Sequence, residues 1–192
     1  MVHELRQPLS SIESIAYYLS MVLPRSEAKV QEQLARIRDL VGQSNWILES
    51  SLHLNGAIAR TPEAIDLEEL IEESISSQST AGRGRIRAEY ARNLPPARLD
   101  AVQARALVDG MLTLFTRVAS GQHPVLLRTY CFLGGPSVEF RCSAPGFASP
   151  AALGPGTTLG LGGARAILEA HGGVLEFTVD PNAGIRCSIS FP

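Results

Sequence analysis

No stretch of this 192-residue chain reaches the ~18 consecutive apolar residues that a helical membrane span requires. No secretory signal opens it, and with a motif already at residue 3 any sensor or anchor would have to precede residue 1. Cysteine is scarce. Cys131, Cys142 and Cys187 are odd in number and lack the C-x-x-C spacing of a metal site. A disulfide framework is therefore not expected, and a reducing, cytoplasmic setting fits best. Excess charge is missing too: the net value of −2 gives no electrostatic case for nucleic acid or an anionic membrane surface. The short basic run Arg83, Arg85, Arg87 reads as a solvated strand or loop.

What is present is an ordinary globular composition, 45% apolar and 19% charged. That length holds one mid-sized domain, or a helical unit plus one compact domain. The opening segment has a countable period. Leu5, Leu9, Ile12, Ala16, Leu19 and Leu23 alternate spacings of four and three, a heptad seam on a helix. After Pro24 and Arg25 a second seam follows through Val30, Leu34, Ile37, Val41, Ser44, Leu48 and Ser51. Two such helices with a short connection predict an antiparallel hairpin. Alone it buries neither stripe fully, so pairing into a four-helix bundle as a homodimer is expected.

Gly56 and Pro62 break the helical pattern in "NGAIARTPEAID" (55–66), which sets the expected boundary between a helical unit, 1–60, and a second domain, 61–192. Beyond it the sequence predicts a helix over 67–78, a strand over 85–91 and a helix over 101–120. Two strands then flank a Gly134–Gly135 turn. A Gly/Pro-rich loop (143–156), a helix over 160–171 and a closing hairpin around Pro181–Gly184 complete the chain. The order predicts an α + α/β protein: a helical hairpin followed by an α/β sandwich with a mixed sheet covered on one face by helices.

"HELRQPLSSIESI" (3–15) places His3 about 160° from the centre of the first seam at 100° per residue, hence toward solvent. Gln7, Ser10, Ser14 and Tyr17 share its side of the helix and leave a partner room to approach. An exposed imidazole is a competent phosphate acceptor, and the adjacent Glu4 can remove its proton. Pro8 has no N–H for the carbonyl four residues back, so a bend is expected after the histidine. A frayed terminal residue accounts for His3 equally well on residue types alone.

"HELRQPLSSI" resembles the H-box of two-component sensor histidine kinases. The string "GPGTTLGLGGARAILEAHGG" (154–173) is similar to the G2 box and following helix of their ATP-binding domain, the gyrase/histidine-kinase ATPase or Bergerat fold. Together the two resemblances span nearly the whole chain. They imply that His3 is the phosphorylated residue, Glu4 its acid/base partner, and Gln7 an amide at the position that orients water in many relatives. Gly146, Gly156, Leu159, Gly160 and Leu161 then mark the nucleotide site, and response-regulator receiver domains are the implied partners, docking near Gln7, Ser10, Ser14 and Tyr17.

Three departures weaken the nucleotide half. Gly110 and Leu114 stand where the N-box has asparagines, and leucine offers a hard cation no oxygen. "FRCSAPGF" puts Cys142 at the adenine-reading aspartate and Ala144 at the first glycine, and a thiol is a poor acceptor in place of a carboxylate. Thr158 replaces a usual glycine, and the lid from Gly146 to Gly156 is short. Packing of the helix on the hairpin accounts for the surviving glycine string better than nucleotide binding does. The expectation is thus a histidine phosphotransferase or degenerate histidine kinase that exchanges phosphate between His3 and a receiver aspartate. No metal or tightly bound cofactor is expected, Mg-ATP entering only if the altered site is compensated. An ATP-dependent autokinase acting on His3 is the first alternative, and a non-enzymatic dimeric adaptor for a receiver is the second.

Overall fold

A computed structural model describes residues 2–24, 27–54, 61–78, 80–119, 123–154 and 156–192. Helices α1 (Val2–Val22) and α2 (Ala28–Leu54) pack side by side across a tight connection. The end of α1 is closed by the Leu23 N–H donating to the Leu19 carbonyl at 3.0 Å, and Gln31 Nε2 reaches back to the Leu23 carbonyl at 3.4 Å. The two seams face each other as their spacing requires: Ala16, Leu34 and Val41 are buried, with Leu9, Leu19, Leu23 and Val30 half-buried. Leu5 and Ile12 remain exposed in the single chain. Helix α1 is continuous through Pro8.

The rest of the chain forms strand β1 (Glu63–Ile65), helices α3 (Leu67–Ser77) and α4 (Thr80–Arg83), strands β2 (Ile86–Glu89) and β3 (Ala97–Leu99), helix α5 (Ala101–Val118), strands β4 (Val125–Phe132) and β5 (Gly135–Cys142), a 3-10 turn (Pro150–Leu153), helix α6 (Thr157–Ala170) and strands β6 (Val174–Asp180) and β7 (Gly184–Ser190). The main sheet has the order β2-β4-β5-β7-β6, with β2 and β4 parallel and the other neighbours antiparallel. Its strands alternate. Val125, Leu127, Val138, Phe140, Cys187 and Ile189 are buried beneath the helices, whereas Arg128, Arg141 and Arg186 are exposed. The mixed sheet expected from the element order is therefore present.

Several local expectations are corrected. Part of the presumed linker is strand: β1 pairs antiparallel with β3, Glu63 opposite Leu99. Three-residue strands carry too little alternation to read from a sequence. The β4–β5 turn is Leu133–Gly134, not Gly134–Gly135, because Phe132 pairs with Gly135. Both turn residues have positive φ (50° and 85°), as a two-residue hairpin with matching twist demands. Gly135 lies in β5, where a Cβ would strike the Phe191 carbonyl. Helix α6 starts at Thr157, three residues before 160, with left-handed Gly156 (φ 76°) at its N-cap. Arg85 is not solvated like exposed Arg83 and Arg87. Its Nη1 and Nη2 donate to the carbonyls of Thr116 (3.1 Å) and Ala119 (2.6 Å), so it caps the C-terminus of α5.

Helix α5 is the centre of the core. Phe115 is fully buried and packs on Phe140 (centroids 5.6 Å apart) and edge-on against Phe177 (6.3 Å). Its N-terminus is held by Asp100, whose Oδ1 accepts from the Gln103 N–H at 3.1 Å and whose Oδ2 accepts from the Thr61 N–H at 3.2 Å. Truncation of Phe115 to alanine removes the ring contacts from both partner strands. In urea denaturation Phe115→Ala is expected to lower the unfolding free energy by about 3–5 kcal/mol. Val102→Ser, on an exposed position of the same helix, should stay within about 0.5 kcal/mol of the parent.

Candidate functional site

Two regions carry the sequence-derived candidates, and they lie on different parts of the fold. The first is the outer face of α1. Residues 3 and 4 belong to this helix, but the His3 and Glu4 side chains lie outside the described residues, so their expected orientation is untested. Gln7, Ser10, Ser14 and Tyr17 are all exposed. Ser14 Oγ donates to the Ser10 carbonyl (2.9 Å) and Ser11 Oγ to the Gln7 carbonyl (3.0 Å), so these hydroxyls turn back onto the helix.

The second region is the cleft between α5 and the N-terminal half of α6. The loop entering α6 is made by left-handed Gly154 (φ 117°) and Gly156. Arg117, near the end of α5, reaches this loop and donates from Nη2 to the buried Thr157 Oγ1 at 3.2 Å. A Cβ on Gly154 would approach Arg117 Nη1 to 2.8 Å, so a side chain there would shift the guanidinium, and the positive φ itself favours glycine.

Inside the cleft stands Trp46 of α2, 9% exposed. A Cβ on Gly110 of α5 would collide with the pyrrole edge of its indole, and one on Gly160 of α6 would collide with its benzene edge. The ring bridges the two helices between their glycines. Its neighbour Ile47 covers Gly156 in the same manner. Glycine inside a helix costs about 1 kcal/mol relative to alanine, and here the missing side chains make the seat for an aromatic ring. Neither Trp46 nor Ile47 was a sequence-derived candidate. The available signal was their position: at 100° per residue Trp46 lies about 200° from Ser44, opposite the seam that meets α1.

The remaining candidates are dispersed. Leu161 belongs to the core, Gly160 is covered by Trp46, and Leu159 is partly exposed. Gly146 is tied to the β6–β7 turn, its N–H donating to the Pro181 carbonyl at 3.1 Å. Leu114 is 1% exposed and Ala144 is fully buried. Burial pushes the Cys142 thiol up to about 12, with the Arg85 guanidinium opposing the rise. A protonated, buried thiol does not substitute for a carboxylate that accepts a hydrogen bond. No group of three or more His, Cys, Asp or Glu suited to a metal ion occurs among the described residues. As they stand, the residues between α5 and α6 do not fit a nucleotide: the indole of Trp46 fills the space over Gly110 and Gly160, and Ile47 that over Gly156.

The string His171–Gly172–Gly173 has a structural account. Gly172 (φ 82°) and Gly173 donate to the carbonyls of Glu169 and Leu168 at 3.1 and 2.8 Å, closing α6 with a Schellman motif. His171 Nδ1–H donates to the Ile167 carbonyl (2.8 Å), which leaves Nε2 to accept the Asp100 N–H (3.4 Å). The imidazole thus joins the end of α6 to the start of α5. Asp109, beside Gly110, faces away toward α3. Burial raises its pKa, and a Ser74 hydrogen bond and the Arg105 charge offset part of the rise.

No protein-family model matches the sequence, and no curated protein is similar to it in sequence. Solved structures do match. The Acinetobacter baumannii histidine kinase AdeS superposes with a TM-score of 0.63 at 16% identity, covering 98% of this chain and 96% of that one. Full-length ShkA in complex with AMPPNP gives 0.63 at 21% identity, covering all of this chain but 44% of its own. The cytoplasmic segment of the histidine kinase QseC gives 0.56 at 17% identity, over 79% of this chain and 90% of that one. No helix among the described residues is long and apolar enough to cross a membrane.

The thiols provide a direct check on the site. Burial also pushes Cys187 up to about 12, while Cys131 is exposed. At pH 8.5 alkylation followed by mass spectrometry should label Cys131 first, with Cys142 and Cys187 at least about tenfold slower. Both buried thiols rise from 9.0 in the ordinary range. The unfolded chain therefore sheds these protons first, and fold stability should fall as pH climbs from about 9 toward 12. The match across both the helical pair and the sheet domain, at these identities, establishes one conclusion: the chain has the fold of the sensor histidine kinases.

Proposed function

We propose that this chain acts in two-component signalling as a histidine phosphotransferase built on a kinase fold that has given up its own phosphate donor. The observation that carries the reading is the cleft. The fold is intact, yet Leu114 is buried in the core and Gly110 faces an indole where a nucleotide-binding relative needs polar side chains. Phosphoryl transfer depends on positioning and charge stabilisation, and this cleft supplies neither for ATP. The phosphate on His3 must then come from another protein.

The receiver domain brings the aspartyl phosphate, the Mg²⁺ and the in-line geometry. An imidazole nitrogen of His3 attacks phosphorus; the P–O bond to the receiver aspartate breaks, a P–N bond forms, and the carboxylate departs with its electron pair. Glu4 takes the ring proton. The reverse step returns the phosphoryl group to a receiver aspartate and the proton to His3. Gln7 holds water near the phosphohistidine. The open polar face at Gln7, Ser10, Ser14 and Tyr17 is suited to a docking receiver.

A second copy of the chain completes the hairpin into a four-helix bundle. Leu5, Ile12, Ile15, Tyr18 and Val22 are exposed on α1, an apolar surface that one chain leaves uncovered.

The test uses a receiver carrying labelled aspartyl phosphate. The wild-type chain should take up label, His3→Gln should take up none, and Mg-ATP labelled at the γ position should label neither without a receiver. Labelling by ATP alone would replace this reading with the autokinase one. Receiver binding without transfer, unchanged in His3→Gln, would replace it with the adaptor.

A further inference from the structure

We propose that Trp46 is an internal plug, seated between Gly110 and Gly160, that closes the α5–α6 cleft to nucleoside triphosphates. The inference rests on reading this cleft as the place where the fold receives a nucleotide's phosphates. It does not depend on His3 carrying phosphate.

Three features of the contact argue for a seat built to hold the ring. The two glycines lie on different helices and open toward the pyrrole and the benzene ring of one indole, so each accommodates a part of the ring system that the other does not. Gly162, two residues from Gly160 on α6, has open space where a Cβ would project. A general tolerance for glycine in this helix does not explain the fit at 160. Finally, the plug has a second point of contact, Ile47, whose side chain lies against Gly156 at the N-cap of α6. The amides that begin α6 and the start of the helix dipole are where an anion would be received. An indole and an isoleucine at that end take up the space an anion would need.

The plug belongs to α2, the second helix of the phosphotransfer hairpin. Because α2 packs against α1 on one face and carries Trp46 on another, a change in the hairpin is transmitted to the cleft through a single rigid element. Withdrawal of α2 uncovers Gly110, Gly160 and Gly156 together.

Trp46 is the only tryptophan in the chain, so its emission reports on the seat without labelling. In the full-length wild type the emission should be blue-shifted and shielded from acrylamide. Gly110→Ala should shift it to the red and expose it to quencher, and Gly162→Ala should leave it as in the wild type. Binding is read with a methylanthraniloyl derivative of ATP in the presence of Mg²⁺. Trp46→Ala should bind it about tenfold tighter or more than wild type. Gly110→Ala, which displaces the indole while favouring the helix, should move in the same direction and serves if Trp46→Ala does not fold. Solvent-exposed emission in the wild type, or emission unaltered in Gly110→Ala, would overturn the seat. Equal nucleotide binding by wild type and the opened variants would overturn the plug. Phosphotransfer from a labelled receiver to wild-type His3 can succeed or fail in either case, so the two proposals are separable.

Discussion

Helix α5 is enclosed by the sheet on one side and by helices on the others, and this enclosure sets what its residues can do. Phe115 faces the strands and is locked between Phe140 and Phe177. Asp109 faces α3, where Ser74 and Arg105 offset the cost of its burial. Gly110, next in sequence, faces α2 and receives the edge of Trp46. Asp100 and Arg85 hold the two ends, one by capping N–H groups and the other by taking carbonyls. A helix fixed in this way has little freedom to rotate a new side chain into the cleft. The chemistry of the cleft is therefore decided by which residues the helix presents there, and it presents a glycine.

The consequence is a division of labour between architecture and chemistry. The loop at Gly154–Gly156, the Arg117–Thr157 hydrogen bond and the Schellman end at Gly172–Gly173 are all intact as packing devices. They fix the position of α6 against α5 and of the last hairpin against both. None of these roles requires a nucleotide. A glycine-rich string that looks like a phosphate loop can be kept for such packing reasons alone.

Much of the fold was legible because it follows from periodicity. The alternating four-and-three spacing of Leu5 through Leu23 and of Val30 through Ser51 specifies two helices, and the buried Ala16, Leu34 and Val41 lie on those seams. Strands β4, β5, β6 and β7 announce themselves by apolar runs between turn residues. The elements that escaped are β1, β3, α4 and the 3-10 turn, each of three or four residues and too short to show a period. Arg85 was misread because its role depends on where α5 ends, which its neighbours Arg83 and Arg87 do not reveal. For the cleft, the departures at Gly110, Leu114 and Cys142 were legible only through the resemblance to the kinase boxes, after which residue chemistry said what each one lacks. Trp46 was not legible, because its partners lie on helices far along the chain, and only folding brings two glycines to the two rings of one indole.

The central claim is that the kinase fold is kept here without a usable site for its phosphate donor. Calorimetric titration of the wild-type chain with ATP in millimolar Mg²⁺ tests it most directly. No saturable heat is expected, because the indole of Trp46 fills the space between Gly110 and Gly160. Saturable binding with a micromolar dissociation constant, corresponding to about −8 kcal/mol, would contradict it.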